Sequence, residues 1–314
     1  RFLANELFST EGLVIIDGDD KNLKTLFAPY IKDELIHQNS FRTVSKTINQ
    51  LKNYTIQVNP REINLFYIED HLRERIILEN NKYTVLNTNY SFSESEILAE
   101  LENHPEKFSP NVILRPLYQE VILPNLAYIG GGGEIAYWLE LKNNFNSQKV
   151  TFPILMLRNS FVVATEKQIE KIDKLHLSWS ELFLPQQELV HQKTKEISIF
   201  KIDFSEQKET LKQQFSELLK IAAQTDKSFI GAVKAQEVKQ IKGLENLEKR
   251  LLKAEKRIHI DKLDRIINIQ NQLFTKGSLQ ERKSNFSEFY SKEFIKNVVS
   301  LSNPLKTEFK IIEI

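Results

Sequence analysis

The pattern of apolar and polar positions divides the chain into two parts. Residues 1 to about 175 alternate short apolar runs with loops and amphipathic stretches. Gly12-Leu-Val-Ile-Ile16 reads as a short strand that ends in the acidic turn Asp17-Gly-Asp-Asp20, and Leu23–Leu35 reads as a helix. Strand, turn and helix in that order are the grammar of a doubly wound α/β domain. The spacing continues helical and then extended over 36–57, predicts a strand over 63–68 and a β-hairpin over 78–86 turning through Glu79-Asn-Asn81, and places a helix over 93–101 with Ser93 and Glu96 in capping-box spacing. Further on, Leu126–Ile129 is a strand that runs into Gly130–Gly133. A helix follows from Glu134 to about Lys142, Phe152–Leu157 is another strand, Phe161–Ala164 continues extended, and Thr165 starts a helix.

From about 180 to 275 the chain is nearly free of Gly and Pro, and its apolar residues recur at helical spacing. Leu211, Phe215, Leu218 and Leu219 share one face. Ile241, Leu244, Leu247, Leu251 and Ile258 form a second stripe near a 3.5-residue repeat, which Ile266, Ile267, Ile269 and Leu273 extend. Lys227–Phe229 lies between the stripes, so the pattern predicts a hairpin of two long helices, with Gly277 capping the second. One more helix over 286–301 and an apolar strand over 309–312 complete the chain. The domain reading is therefore an α/β core over 1–175, a helical coiled-coil dimerisation domain over 176–275, and a segment over 276–314 that returns to the core. An apolar stripe that a two-helix hairpin cannot bury on all sides predicts a homodimer.

Composition narrows the chemistry. The 314 residues include no cysteine, which removes disulfides, thiolate nucleophiles and Cys-ligated metals within this chain, and fits a cytoplasmic location. A formal net charge of +1 argues for no nucleic-acid partner, and no apolar run has membrane-spanning length. The lysines of 239–257 are interleaved with Glu245, Glu248 and Glu255, as on a solvated helix face rather than an RNA-binding stripe. The histidines at 37, 71, 104, 176, 191 and 259 are scattered without metal-ligand spacing, so no metal site is expected.

The best candidate site is the glycine run. Glycines permit positive φ and close backbone approach, and the N–H groups of a helix start favour an anion. Gly130, Gly131, Gly132 and Gly133 before Glu134 therefore suit a phosphate or carboxylate, although a tight strand–helix connection with no ligand has the same pattern. The run is neither G-x-G-x-x-G nor a Walker A motif. Just upstream, Arg115 could hold a carboxylate or phosphate bidentately, and Glu120 could act as a general base or hold an amine. A surface ion pair and a helix start explain the same residues. Arg158 and Asn159 follow an apolar strand, where ligands of open α/β sheets bind, but a structural ion pair fits Arg158 as well. Asp17 and Asp20 share that position after a strand, and helix capping with turn chemistry is the better account of them.

Several segments together resemble one family. They are Ile63-Asn-Leu-Phe-Tyr67 with Arg73-Glu-Arg-Ile76, Leu114-Arg-Pro-Leu-Tyr-Gln-Glu120, Leu123-Pro-Asn-Leu-Ala-Tyr-Ile-Gly-Gly-Gly-Gly-Glu-Ile-Ala-Tyr-Trp-Leu139, Phe152–Leu157 with Arg158-Asn-Ser160, the helical segment 243–257, and Leu279-Gln-Glu-Arg282 with Asn285-Phe and Phe289-Tyr290. The chain resembles the cysteine-adding enzymes (cysteine ligases) of bacillithiol biosynthesis over essentially its whole length. The resemblance implies a Rossmann-like core with inserted connecting-peptide segments, a coiled-coil dimerisation domain, and the absence here of the family's N-terminal portion. It implies a ligase that joins cysteine to the free amine of glucosaminyl malate through an amide bond. Catalytic work would fall to Arg115, Glu120 and Glu134. Substrate binding would fall to Tyr118, Gln119, the four glycines, Tyr137, Arg158 and Asn159. Such a condensation needs an activated carboxylate, for which a nucleotide (ATP/ADP) is the expected cofactor, but no residue selects it. One departure stands out: the family's loop usually reads Gly-Gly-Pro-Gly-Glu, and Gly132 occupies the proline's place. A Rossmann-type nucleotidyl transferase acting on another small molecule, and a non-enzymatic coiled-coil scaffold, are the competing readings.

Overall fold

The computed structural model describes residues 1–314, which divide into two compact units. The first comprises Arg1–Asn159 with Ser300–Glu308, and the second Ser160–Val299 with Phe309–Ile314. The junction thus lies between Asn159 and Ser160, where the sequence pattern suggested about 175, and of the tail only 300–308 belongs to the first unit.

The first unit opens with α1 (Phe2–Phe8), α2 (Lys21–His37) and α3 (Asn39–Ile48). Asp20 caps α2 by accepting the N–H groups of Asn22 and Leu23. One stripe of α2, made of Phe27, Ile31 and Leu35, enters the core, and Lys24 lies on the same stripe. Then come β1 (Leu65–Glu69), β2 (Leu72–Glu79), β3 (Lys82–Val85) and β4 (Ser91–Phe92). After α4 (Glu94–Asn103), β5 (Phe108–Pro110) completes a sheet in the order β4-β3-β2-β1-β5, antiparallel at every pairing. The hairpin lies where the sequence placed it: Glu79 pairs with Lys82, and Asn80 and Asn81 take φ of 51° and 59°, as a two-residue primed turn requires. The Ser93–Glu96 capping box also forms as read.

Two features of the first unit differ from expectation. Gly12–Ile16 is not a strand. It belongs to no sheet, and Leu13, Val14 and Ile16 are exposed, because a β-branched run becomes a strand only beside a partner. The main sheet is antiparallel, so parallel pairing in this unit is confined to one βαβ element. That element follows α5 (Arg115–Ile122) and consists of β6 (Ala127–Gly130), α6 (Gly132–Leu139), α7 (Lys142–Ser147) and β7 (Ile154–Leu157). Its inner side packs Trp138, Leu141 and Phe145 into the core shared with α2 and the sheet.

In the second unit, β8 (Ser160–Ala164) pairs in parallel with β9 (Phe309–Glu313). Between them in the chain run α8 (Glu166–Lys174), α9 (Gln186–Ile197), α10 (Ser205–Ala222), α11 (Lys227–Ile258), α12 (Ile260–Leu273) and α13 (Lys292–Leu301), the last of which belongs to this unit up to Val299. α10 and α11 form the expected long hairpin. Lys227–Phe229 is the first turn of α11, which Asp226 caps, so the connection lies just before it. The stripe continues from α11 into α12 across a break at His259. Gly277 has the left-handed φ of 71°, but it ends a separate 3-10 turn after α12. The last helix starts at Lys292 rather than 286, since Phe286–Glu288 is a 3-10 turn capped by Asn285.

Candidate functional site

The carboxyl ends of β6 and β7 lie side by side. Gly130 pairs with Leu157, and the Arg158 N–H donates to the Gly130 carbonyl at 2.9 Å. This brings the start of Arg158 beside the glycine loop, at the strand ends where α/β folds bind ligands. Gly131 is the N-cap of α6 with extended backbone (φ −70°, ψ 162°), and the helix begins at Gly132. None of the four glycines has positive φ, so left-handed freedom is not why they are here. Gly130 is explained by close packing, because a Cβ there would sit 2.6 Å from the Tyr128 ring. Gly132 and Gly133 border open space. The first-turn N–H groups of Gly132, Gly133 and Glu134 have no acceptor within the helix, and the helix dipole adds partial positive charge there. Glu134 already answers part of that charge: its Oε2 accepts the Gly131 N–H at 2.8 Å.

Aromatic groups floor this loop. Tyr128 stacks on Trp138 with ring centroids 4.1 Å apart, and Phe145 and Phe152 complete the cluster. Burial, followed by the nearby Tyr137 and Glu134, pushes the Tyr128 hydroxyl up to about 12. Burial first and the Glu134 charge second also raise Tyr137, while Arg115 opposes them. Tyr137 therefore lies within electrostatic reach of both Glu134 and Arg115. Arg115 itself is exposed at the start of α5.

Other sequence candidates are committed elsewhere. Glu120 is buried, and its carboxylate accepts the Asn125 N–H at 2.9 Å and the Asn125 Nδ2 at 3.0 Å, which fixes the turn into β6. Gln119 Nε2 donates to the same carboxylate at 3.4 Å. Tyr118 is buried against Phe27 and donates its hydroxyl to the Gly18 carbonyl at 3.0 Å; burial and the acidic turn raise it to about 12. Asn159 uses both ends of its amide on the 300–308 segment, donating to the Lys306 carbonyl and accepting the Asn303 N–H, each at 2.9 Å. The structure thus gathers Gly130–Gly133, Glu134, Tyr137 and the backbone of Arg158 at the start of α6, and commits the polar ends of Glu120, Tyr118 and Asn159 to hydrogen bonds of their own. Asp17 and Asp20 serve the turn and cap of α2.

Sequence reasoning passed over Tyr128 and Lys24. Tyr128 precedes Gly130 by two, so strand alternation puts both on one side. Lys24 precedes Phe27 and Ile31 by three and seven, a lysine on an apolar stripe. It is fully buried, donates to the Phe108 carbonyl at 2.8 Å and pairs with Asp19 at 3.3 Å; burial depresses its pKa against the pull of Asp19, with Arg115 and Arg73 adding repulsion.

A parallel βαβ element with a glycine-opened helix, joined to a unit built on a long helical hairpin, defines a Rossmann-like domain followed by a coiled-coil domain. Residues 1–159 match the model of the bacillithiol biosynthesis BshC N-terminal Rossmann-like domain, and residues 161–314 match that of the BshC C-terminal coiled-coil domain. The chain belongs to the BshC family. It is 63% identical over 317 residues to "Putative cysteine ligase BshC" of Flavobacterium johnsoniae, covering 100% of this chain and 60% of that protein. The protein of the same name from Flavobacterium psychrophilum is 64% identical over 316 residues with the same coverage, and that of Lysinibacillus sphaericus is 27% identical over 299 residues, covering 92% of this chain and 55% of the relative. The chain therefore spans about 60% of the length of these Flavobacterium relatives.

Proposed function

We propose that this chain carries part of the active site of a ligase that adds cysteine to the free amine of glucosaminyl malate, forming an amide in bacillithiol biosynthesis. The observation that carries the reading is the start of α6 at the carboxyl ends of two parallel strands, with Gly132 and Gly133 bordering open space. Both substrates bear carboxylates, and a helix start with arginines is the matching receptor. In the reaction the amine nitrogen bonds to the activated cysteine carboxyl carbon, the activating group leaves with its electron pair, and the ammonium proton must pass to a base. Glu134 is exposed at the loop, whereas Glu120 is buried and bonded to Asn125, so Glu134 is the better-placed base. Tyr137 can orient a sugar hydroxyl. The proposed enzyme acts as a homodimer through the α10–α11 hairpin and works in the cytoplasm.

The test is mass spectrometry of a reaction with glucosaminyl malate, cysteine and a nucleoside triphosphate, run with the full-length protein. The condensed thiol product is expected, and Arg115→Ala should remove most of the turnover. Glu120→Gln should lower stability, by about 1–3 kcal/mol for mismatched buried donors, more than it lowers kcat. Absence of any amide product together with absence of affinity for glucosaminyl malate overturns the reading.

A further inference from the structure

Trp138 is only 1% exposed, and its indole N–H is closed off from solvent without an acceptor. A buried Trp N–H usually finds a partner, and an unmatched buried donor costs stability. The packing around it is close all the same: the ring stacks on Tyr128 and meets Phe145 and Phe152. Tyr128 in turn carries the glycine loop, since a Cβ at Gly130 would lie 2.6 Å from its ring, and Gly132 and Gly133 of that loop border open space. Tyr128 and Tyr137 are half-buried, whereas Trp138 is sealed in the core. Burial raises the pKa of both phenols, and the Trp138 indole opposes it at both hydroxyls, which places the N–H beside the two oxygens.

An indole N–H can only donate, while a phenol accepts at its oxygen and donates its own proton. With the indole donor on one side, the role left to each phenol is to donate to a group other than Trp138. Tyr128 stays protonated up to about 12, and Tyr137 is raised as well, so both donors are uncharged near neutral pH. Uncharged donors suit the hydroxyl and ring oxygens of a sugar, whereas a carboxylate is drawn to the positive end of α6. We propose that Tyr128 and Tyr137 form a sugar subsite beside the glycine loop, where they hold hydroxyls of the glucosamine ring, with Trp138 as the positioning residue that turns their O–H groups toward it. The identity of the sugar rests on the ligase reading, and the direction of the donors rests on the unmatched indole N–H.

The full-length protein should separate sugar recognition from carboxylate recognition. Tyr128→Phe and Tyr137→Phe should each raise KM for glucosaminyl malate by roughly two- to tenfold, more than they lower kcat, because each removes one neutral hydrogen bond made in both the ground and transition states. Binding of malate alone, which has no sugar, should be unchanged in calorimetric titration. Trp138→Phe keeps an aromatic ring in the stack and removes the N–H. It should raise KM for glucosaminyl malate in the wild-type background and add nothing to the double variant Tyr128→Phe with Tyr137→Phe, a coupling that loss of packing alone would not produce. A Trp138→Phe effect of equal size in both backgrounds overturns the subsite while the ligase reading stands. So do tyrosine variants that bind glucosaminyl malate as well as wild type, or that lose malate binding to the same degree. A wild-type protein with no affinity for glucosaminyl malate overturns both.

Discussion

Glu134 bends back over the loop it follows, and its Oε2 accepts the N–H of Gly131, three residues earlier, at 2.8 Å. The same carboxylate therefore caps α6 and places a negative charge where the helix start would otherwise hold an anion. Cap and ligand compete for one end of the helix. Glu134→Ala should cost about 0.5–1.5 kcal/mol of stability for the lost hydrogen bond. It should also tighten binding of malate, a dicarboxylate probe, by roughly two- to fivefold, since a helix-start charge is worth about 0.3–1 kcal/mol. Calorimetric titration and urea unfolding read the two effects separately. Weaker malate binding in the variant would place the anion elsewhere.

The loop glycine at the first position of α6 makes a second prediction. Gly132 is the first residue of α6, where proline needs no N–H, and Gly131 before it is already extended, as a residue preceding proline must be. A Cβ at Gly132 meets nothing within 4 Å. Gly132→Pro should therefore stabilise the protein by about 0.4–1 kcal/mol through loss of unfolded-chain entropy. Gly130→Ala should do the reverse and cost about 1–3 kcal/mol, because its Cβ meets the Tyr128 ring at 2.6 Å. Thermal midpoints of both variants decide the matter; a destabilising proline would mean that the turn is not as described.

What could be read from the residues was what local chemistry decides. The Ser93–Glu96 cap, the Asn80-Asn81 turn, the strand entering Gly130 and the long helices all depend on neighbours in sequence. The Gly12–Ile16 run reads as a strand and is none, because a strand exists only by pairing, and nothing in the run itself reports whether a partner is present. The antiparallel order of β1–β5 is non-local in the same way. At the candidate site, position after a strand points to the glycine loop and Arg158 as candidates, while hydrogen-bond partners are not legible in sequence. Glu120 looks like a base in sequence until the turn at Leu123–Asn125 swings the Asn125 donors onto it. Lys24 and Glu34 were legible in principle, as charged residues on or beside the apolar stripe of α2.

Glu34 gives a pH prediction. It is buried and accepts from Ser40 N (3.0 Å), Ser40 Oγ (2.6 Å), Asn64 N (2.9 Å) and Asn64 Nδ2 (3.2 Å). Burial nevertheless wins over those bonds and raises its pKa above the ordinary 4.5. Between 4.5 and the raised value the folded protein keeps a proton that the unfolded chain has released. The stabilising contribution is thus fully present below 4.5 and is lost as pH rises through the folded pKa. Glu34→Gln should flatten that part of the stability–pH curve relative to wild type. Parallel curves for the two proteins in urea unfolding at a series of pH values would reject it.

The helical hairpin makes the last prediction. Inside it, Phe215, Ala222 and Val233 pack with Leu211, Leu219 and Ile230, a small core for helices of 18 and 32 residues. On α11, Phe229, Leu247 and Ile258 remain exposed at spacings close to whole numbers of turns, so they line one side of the helix, and Leu244 and Leu251 flank that line. Leu247 is 51% and Ile258 70% exposed. An apolar line along a helix roughly 48 Å long is a seam for another helix, and a symmetric partner supplies a matching seam. The chain should therefore sediment as a dimer at micromolar concentration. Leu247→Glu with Ile258→Glu should make it a monomer, because like charges would face each other across the two-fold axis. These side chains lie outside the hairpin core, so helix content by circular dichroism should change little. A wild-type chain that is monomeric at micromolar concentration, or a double variant that still dimerises, would show that this seam is not the interface.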